Sequence, residues 1–119
     1  MILSFKPQFI EPILKGSKIH TIREDKTNRW IDGRVIQGAT GVRTKKYNQF
    51  FEGVCVSTQK IEFEYACGYA TVLVDNKVLS NNQIEKIAIS DGFESIGDFF
   101  NWFNEDFVGK IIHWTKMKY

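Results

Sequence analysis

Only two cysteines and two prolines occur in the 119 residues of this chain, and nowhere do the roughly 18 consecutive apolar residues of a membrane span appear. Cys55 and Cys67 form no C-x-x-C pair and no zinc pattern with His20 and His113, which excludes a disulfide framework and points to buried free thiols in a reduced, cytoplasmic setting. No metal or other cofactor is implied. The opening Met1-Ile2-Leu3-Ser4-Phe5-Lys6 has neither the basic stretch nor the apolar stretch of an export signal, so the expectation is a protein neither exported nor membrane-spanning. Repeats, low-complexity tracts and linker compositions are also missing. What is present is 43% hydrophobic, 25% charged and 14% aromatic residues, the composition of a packed globule. The length suits one domain, residues 1–119, around one core.

A net charge of +2 excludes little, but the charge is unevenly spread. Residues 15–46 hold nine basic side chains (Lys15, Lys18, Arg23, Lys26, Arg29, Arg34, Arg43, Lys45, Lys46) against three acidic ones. Gathered on one face, they would attract a phosphate-bearing partner with salt-dependent affinity. Left in a loop, they are an ordinary solvated surface.

Leu3 and Phe5 suggest a short opening strand. Pro7 suits a first helical turn, Phe9, Ile10, Ile13 and Leu14 recur at helical spacing, and Gly16 can supply a left-handed stop. Pro12 favours two short turns over one continuous helix. Strands are expected at 18–23, 34–36, 53–57, 60–64, 69–75 and 110–115, with 24–33 a loop, 37–52 ambiguous and Asn76-Lys77 a hairpin turn. Ser80 and Gln83 have capping-box spacing, and Leu79 and Ile84 staple spacing, so a helix begins near Asn81 and Gly92 ends it. Ser95 caps a second helix whose Ile96, Phe99, Phe100 and Phe103 face the core.

The densest polar grouping is Gly16-Ser17-Lys18-Ile19-His20-Thr21-Ile22-Arg23, or G-x-K-x-x-T-x-R. With Asp32-Gly33, Ile87-Ala88, Asp91-Gly92-Phe93, the Phe99-Phe100 pair and Gly109-Lys110-Ile111-Ile112-His113-Trp114, the chain resembles the ASCH domain family of the PUA-like superfold along nearly its whole length. The resemblance implies an α+β fold, a small mixed β-barrel flanked by helices, with a motif-lined cleft for RNA or a modified nucleoside or nucleotide. It further implies, from an acetylcytidine amidohydrolase branch that uses the motif lysine and threonine with a glutamate, catalytic roles for Lys18 and Thr21. The third position falls on Asp91, a shorter carboxylate, with Glu85 and Glu94 as substitutes.

Physical chemistry constrains this set. Residues three apart on a straight strand face opposite sides, so Lys18 and Thr21 converge only if Lys18 lies in the Gly16-Ser17 turn and the later residues enter the sheet. A hydrolase needs Thr21 as nucleophile and a Lys18 whose pKa falls towards neutrality, while an ion pair with Asp91 opposes that fall. A binding module needs only charged Lys18 and Arg23, a hydrogen bond from Thr21, and Arg43, Lys45 and Lys46 towards phosphates. Trp30, Tyr47 and Phe50 are stacking platforms or core residues. His20 and His113 read as satisfied surface or strand histidines. A protein-interaction module would instead expose an apolar patch near Phe50 and Phe51.

Overall fold

The computed structural model describes residues 1–119 as an α+β chain with eight strands, three α-helices and one 3-10 turn. Strands β1 (Ile2–Ser4), β3 (Val35–Thr40) and β4 (Asn48–Val54) form one sheet in the order β1-β3-β4, with β1 parallel to β3. Strands β2 (His20–Arg23), β5 (Ser57–Ala66), β6 (Tyr69–Val74), β7 (Lys77–Val78) and β8 (Phe107–His113) form a second, antiparallel sheet in the order β2-β8-β5-β6-β7. The sheets do not close into one barrel. They join at a corner, Cys55-Val56, where the chain leaves its β3 partner and Val56 donates to the His113 carbonyl (2.8 Å). The expected continuous strand 53–57 is therefore two strand ends, because each half takes its hydrogen bonds from a different sheet.

Pro12 sits in the third position of helix α1 (Ile10–Lys15), after a 3-10 turn at Pro7–Phe9. A helix leaves its first four N–H groups without partners, so proline removes no hydrogen bond there. Gly16 ends α1 in the left-handed conformation (φ 82°). Helix α2 (Asn81–Ser90) opens with the Ser80–Gln83 capping box, and Ser95 caps helix α3 (Ile96–Trp102). The turn after β6 falls one residue earlier than expected, at Asp75-Asn76. Both carry positive φ (49° and 67°), as a two-residue hairpin turn requires.

The core packs the five-stranded sheet against the helices and takes in Leu3 and Ile36 of the three-stranded sheet. Phe63 stacks on Phe103 (4.8 Å between centroids), meets Phe100 edge to face and lies tilted against Phe99 (5.5 Å), while Ile87, Ala88, Ile111 and Ile112 are fully enclosed. Cys55 is a buried thiol, but Cys67 is exposed, because it occupies the Cys67-Gly68 turn between β5 and β6 with φ 52°. No helix is long and apolar enough to cross a membrane.

Candidate functional site

The site is built where the G-x-K-x-x-T-x-R segment meets the end of α2. Beyond the last ordinary helical bond, Asp91 N–H to Ile87 O, four carbonyls at that end need partners. Gly92 and Phe93 donate to Ile89 and Ala88, a Schellman-type closure that needs the positive φ of Gly92 (95°). The other two partners come from the motif. The Ile19 N–H donates to Ser90 O (2.9 Å), and Lys18 Nζ donates to Asp91 O (2.5 Å). A cation at a helix C-terminus also meets the favourable end of the helix dipole. These two bonds bring together residues more than seventy positions apart.

Lys18 does lie before the strand. The backbone N–H groups of Ser17 and Lys18 both donate to Pro12 O (3.0 Å each), folding the turn back on α1 and sending the lysine stem inward. There Lys18 is 1% exposed, its ammonium 3.3 Å from Asp91 Oδ1 and 4.7 Å from the Phe9 ring centroid. Gly92 makes room for it, since a methyl group there would stand 2.9 Å from Lys18 Cδ. Burial pulls the Lys18 pKa down, while the Asp91 carboxylate works in the opposite direction and Arg23 adds a smaller downward push.

Thr21 and Arg23 follow on β2 and point to the same side. Arg23 Nε donates to Thr21 Oγ1 (3.3 Å), its guanidinium lies over Phe5 (5.0 Å), and Nη2 donates to Ser4 O (2.5 Å). Because β1 and β2 are edge strands of different sheets, Arg23 spans the seam between them. At this seam Lys18, Thr21, Arg23 and Asp91 line one cavity of about 290 Å³, walled by Phe5, Phe9, Phe93 and Trp102. That volume is at the small end of the roughly 300–1,000 Å³ typical of small-molecule sites. Three cations (Lys6, Lys18 and Arg23) and one carboxylate among aromatic walls suit a flat, polar, electron-rich ligand.

The other candidates lie elsewhere. Trp30 is 5% exposed and belongs to the core, with its N–H held by Asp25 Oδ2 (2.8 Å), so its ring is closed to a stacking base. Arg43, Lys45 and Lys46 are exposed in the β3–β4 loop. Arg43 joins Arg29 and Tyr47 around a second, more open hollow that shares Ser4 with the first. Glu85 and Glu94 are exposed and do not line the cavity, which leaves Asp91 as its carboxylate. Phe50 and Phe51 are half-buried and meet Phe5 and Trp114, so they form no free apolar patch.

Sequence reading missed a polar layer directly behind the cavity. His20 is fully buried, its Nδ1 2.9 Å from Asp91 Oδ1 and its Nε2 2.6 Å from the Tyr119 hydroxyl. Gln59 accepts from Tyr119 N–H and His113 Nε2 (2.9 Å each), and donates to Tyr119 O (2.7 Å) and Asp75 Oδ2 (2.9 Å). Burial, aided by His20, lowers the His113 pKa to about 4, and burial raises that of the Tyr119 phenol to about 12. The only signal for this layer was a histidine inside the motif.

What fold and site define is an α+β domain with a cationic, aromatic-walled cavity at the seam of two sheets. Comparisons of the chain with protein-family models, with curated proteins and with solved structures return no match.

Proposed function

We propose that this chain is an ASCH-type, PUA-like domain whose cavity takes a modified nucleoside or a single unpaired nucleotide of RNA. The observation that carries this is the gathering of Lys18, Thr21, Arg23 and Asp91 on one small cavity with aromatic walls. A base entering between Phe5, Phe9, Phe93 and Trp102 would exchange water for ring contacts. Its carbonyl or substituent oxygen would accept from Lys18 or from the Arg23 N–H groups not spent on Ser4 and Thr21. Asp91 Oδ2, which makes no hydrogen bond within the protein, would accept from an exocyclic amine. Flanking phosphates would run past Ser4 towards Arg29 and Arg43, with Lys45 and Lys46 adding a diffuse field. The cytoplasm is the setting in which we place this binding.

The test is calorimetric titration with acetylcytidine, cytidine and a short single-stranded RNA at several salt concentrations. The expected result is saturable binding to at least one of them, lost in Lys18→Ala and weakened in Arg23→Ala. Absence of binding to all three, or equal binding by Lys18→Ala, would sink the proposal.

One observation favours a second, catalytic reading: burial moves the Lys18 pKa in the direction a general base requires. A neutral Lys18 amine would take the Thr21 proton as Oγ1 attacks an acyl carbon. It would return that proton to the departing cytidine amine, and water would then release the acid from the acyl-threonine. Acetate release from acetylcytidine by the wild type, but not by Lys18→Ala or Thr21→Ala, is the expected outcome. Equal release from all three would dismiss it.

A further inference from the structure

The Asp91 carboxylate is closer to His20 (2.9 Å) than to the lysine it partners (3.3 Å), and the shortest contact of the ammonium is with the Asp91 backbone carbonyl (2.5 Å). A carboxylate only accepts, so His20 Nδ1 carries the hydrogen of that bond. In the neutral ring Nε2 is then a lone pair, and the Tyr119 hydroxyl at 2.6 Å must donate to it. The phenol is suited to this, because burial keeps it protonated to about pH 12. Tyr119 is fixed in turn by two backbone bonds to Gln59. The one other ring against His20, that of His113, meets it edge-on at 5.3 Å and stays neutral above about pH 4.

We propose that His20 is a positioning residue of the cavity: held by Tyr119 in its Nδ1–H form, it holds the Asp91 carboxylate back from Lys18, so that the ammonium keeps a hydrogen free for a ligand. The ligand half of this statement rests on the nucleoside reading above; the positioning half does not. Without His20 the carboxylate would be free to turn onto Lys18 and hold it charged and occupied. Outside this pair the charges about Lys18 are Arg23, Lys6 on the wall of the same cavity and the α2 terminus, and none of them changes on substitution of His20.

Nitrogen-15 NMR of the free protein tests the positioning half. The wild type is expected to show His20 as a single Nδ1–H tautomer, and Tyr119→Phe, which removes only the donor to Nε2, is expected to mix the two tautomers. His20→Leu should raise the Lys18 titration midpoint by about one pH unit, as the carboxylate closes on the amine. His20→Asn, which keeps an N–H near the Nδ1 position, should leave it near the wild-type value. For the ligand half, acetylcytidine affinity should fall about tenfold in His20→Leu and recover to within about threefold in His20→Asn, the scale of loss seen when a supporting contact is cut. An Nε2–H tautomer in the wild type, or Leu and Asn variants with the same Lys18 midpoint, would overturn the proposal. If His20→Leu fails to fold, the wild-type and Tyr119→Phe tautomers still decide. NMR results as expected with no nucleoside bound by the wild type would leave the positioning intact and remove the nucleoside reading alone.

Discussion

Two basic stretches of the chain differ more than their composition does. Residues 18–23 carry Lys18 and Arg23, and residues 43–46 carry Arg43, Lys45 and Lys46. The first pair has given up water and is held by named partners: a helix-end carbonyl, a carboxylate, a strand carbonyl and two phenylalanine rings. The second group remains solvated, with no side-chain partner. A charge that loses its hydration must have compensating groups in fixed places, so burial turns a charge into a geometry. A solvated charge contributes only to a field, screened by salt over about 10 Å. Specificity should reside in the first stretch and long-range attraction in the second.

The sharpest way to break this contrast is Asp91→Ala, which leaves the Lys18 ammonium buried beside a backbone carbonyl alone. Removing one partner of a buried pair costs about 3–5 kcal/mol, readable as a lower urea midpoint, with ligand binding lost as well. Acid provides a probe of the layer behind the cavity. His113 titrates near its ordinary 6.5 when unfolded but at about 4 when folded, so the unfolded chain binds the extra proton between these values. The His113 contribution to stability should therefore fall as pH drops from about 6.5 to about 4 and be constant below, a change of roughly 3 kcal/mol. Denaturant melts at pH 7, 5 and 4 check this, and His113→Gln should flatten the profile. Next comes Gly92→Ala, whose methyl group meets Lys18 Cδ at 2.9 Å and Phe9 at 3.0 Å with φ at 95°. The expected cost is about 1–3 kcal/mol, together with weaker nucleoside binding as Lys18 is pushed aside. The smallest effect on the fold belongs to the combined Arg43→Ala, Lys45→Ala, Lys46→Ala variant. Its stability should stay within about 0.5 kcal/mol of the wild type. Its RNA affinity should lose salt dependence, the logarithmic slope falling by up to about 2.

Local chemistry made much of this legible in advance. The Ser80 capping box, the Gly16 stop, the Ser95 cap and the phenylalanines of α3 depend on neighbours within four residues, and all are present. The two-residue period of a strand required Lys18 to sit in the turn ahead of β2 if it was to meet Thr21, and it sits there; Asp91 as its partner was an expectation of the resemblance, beyond the reach of any spacing rule. What escaped depends on distant partners. His20, Gln59 and Tyr119 find each other across up to 99 residues, and no spacing rule reaches that far. The Cys55-Val56 corner escaped because alternation records which face a residue takes but not which sheet it joins. Trp30 could be core or platform from sequence, and the Asp25 carboxylate that settles its place acts through the backbone.

Lys18 closes the far end of α2 from 73 positions away, and this ties the hollow to the completeness of the chain. A nascent or truncated polypeptide that has made the motif but not yet the helix possesses neither the floor nor the acid of the cavity. A ligand of the kind proposed would therefore engage only the state in which the motif and α2 have docked, and would stabilise that state by mass action.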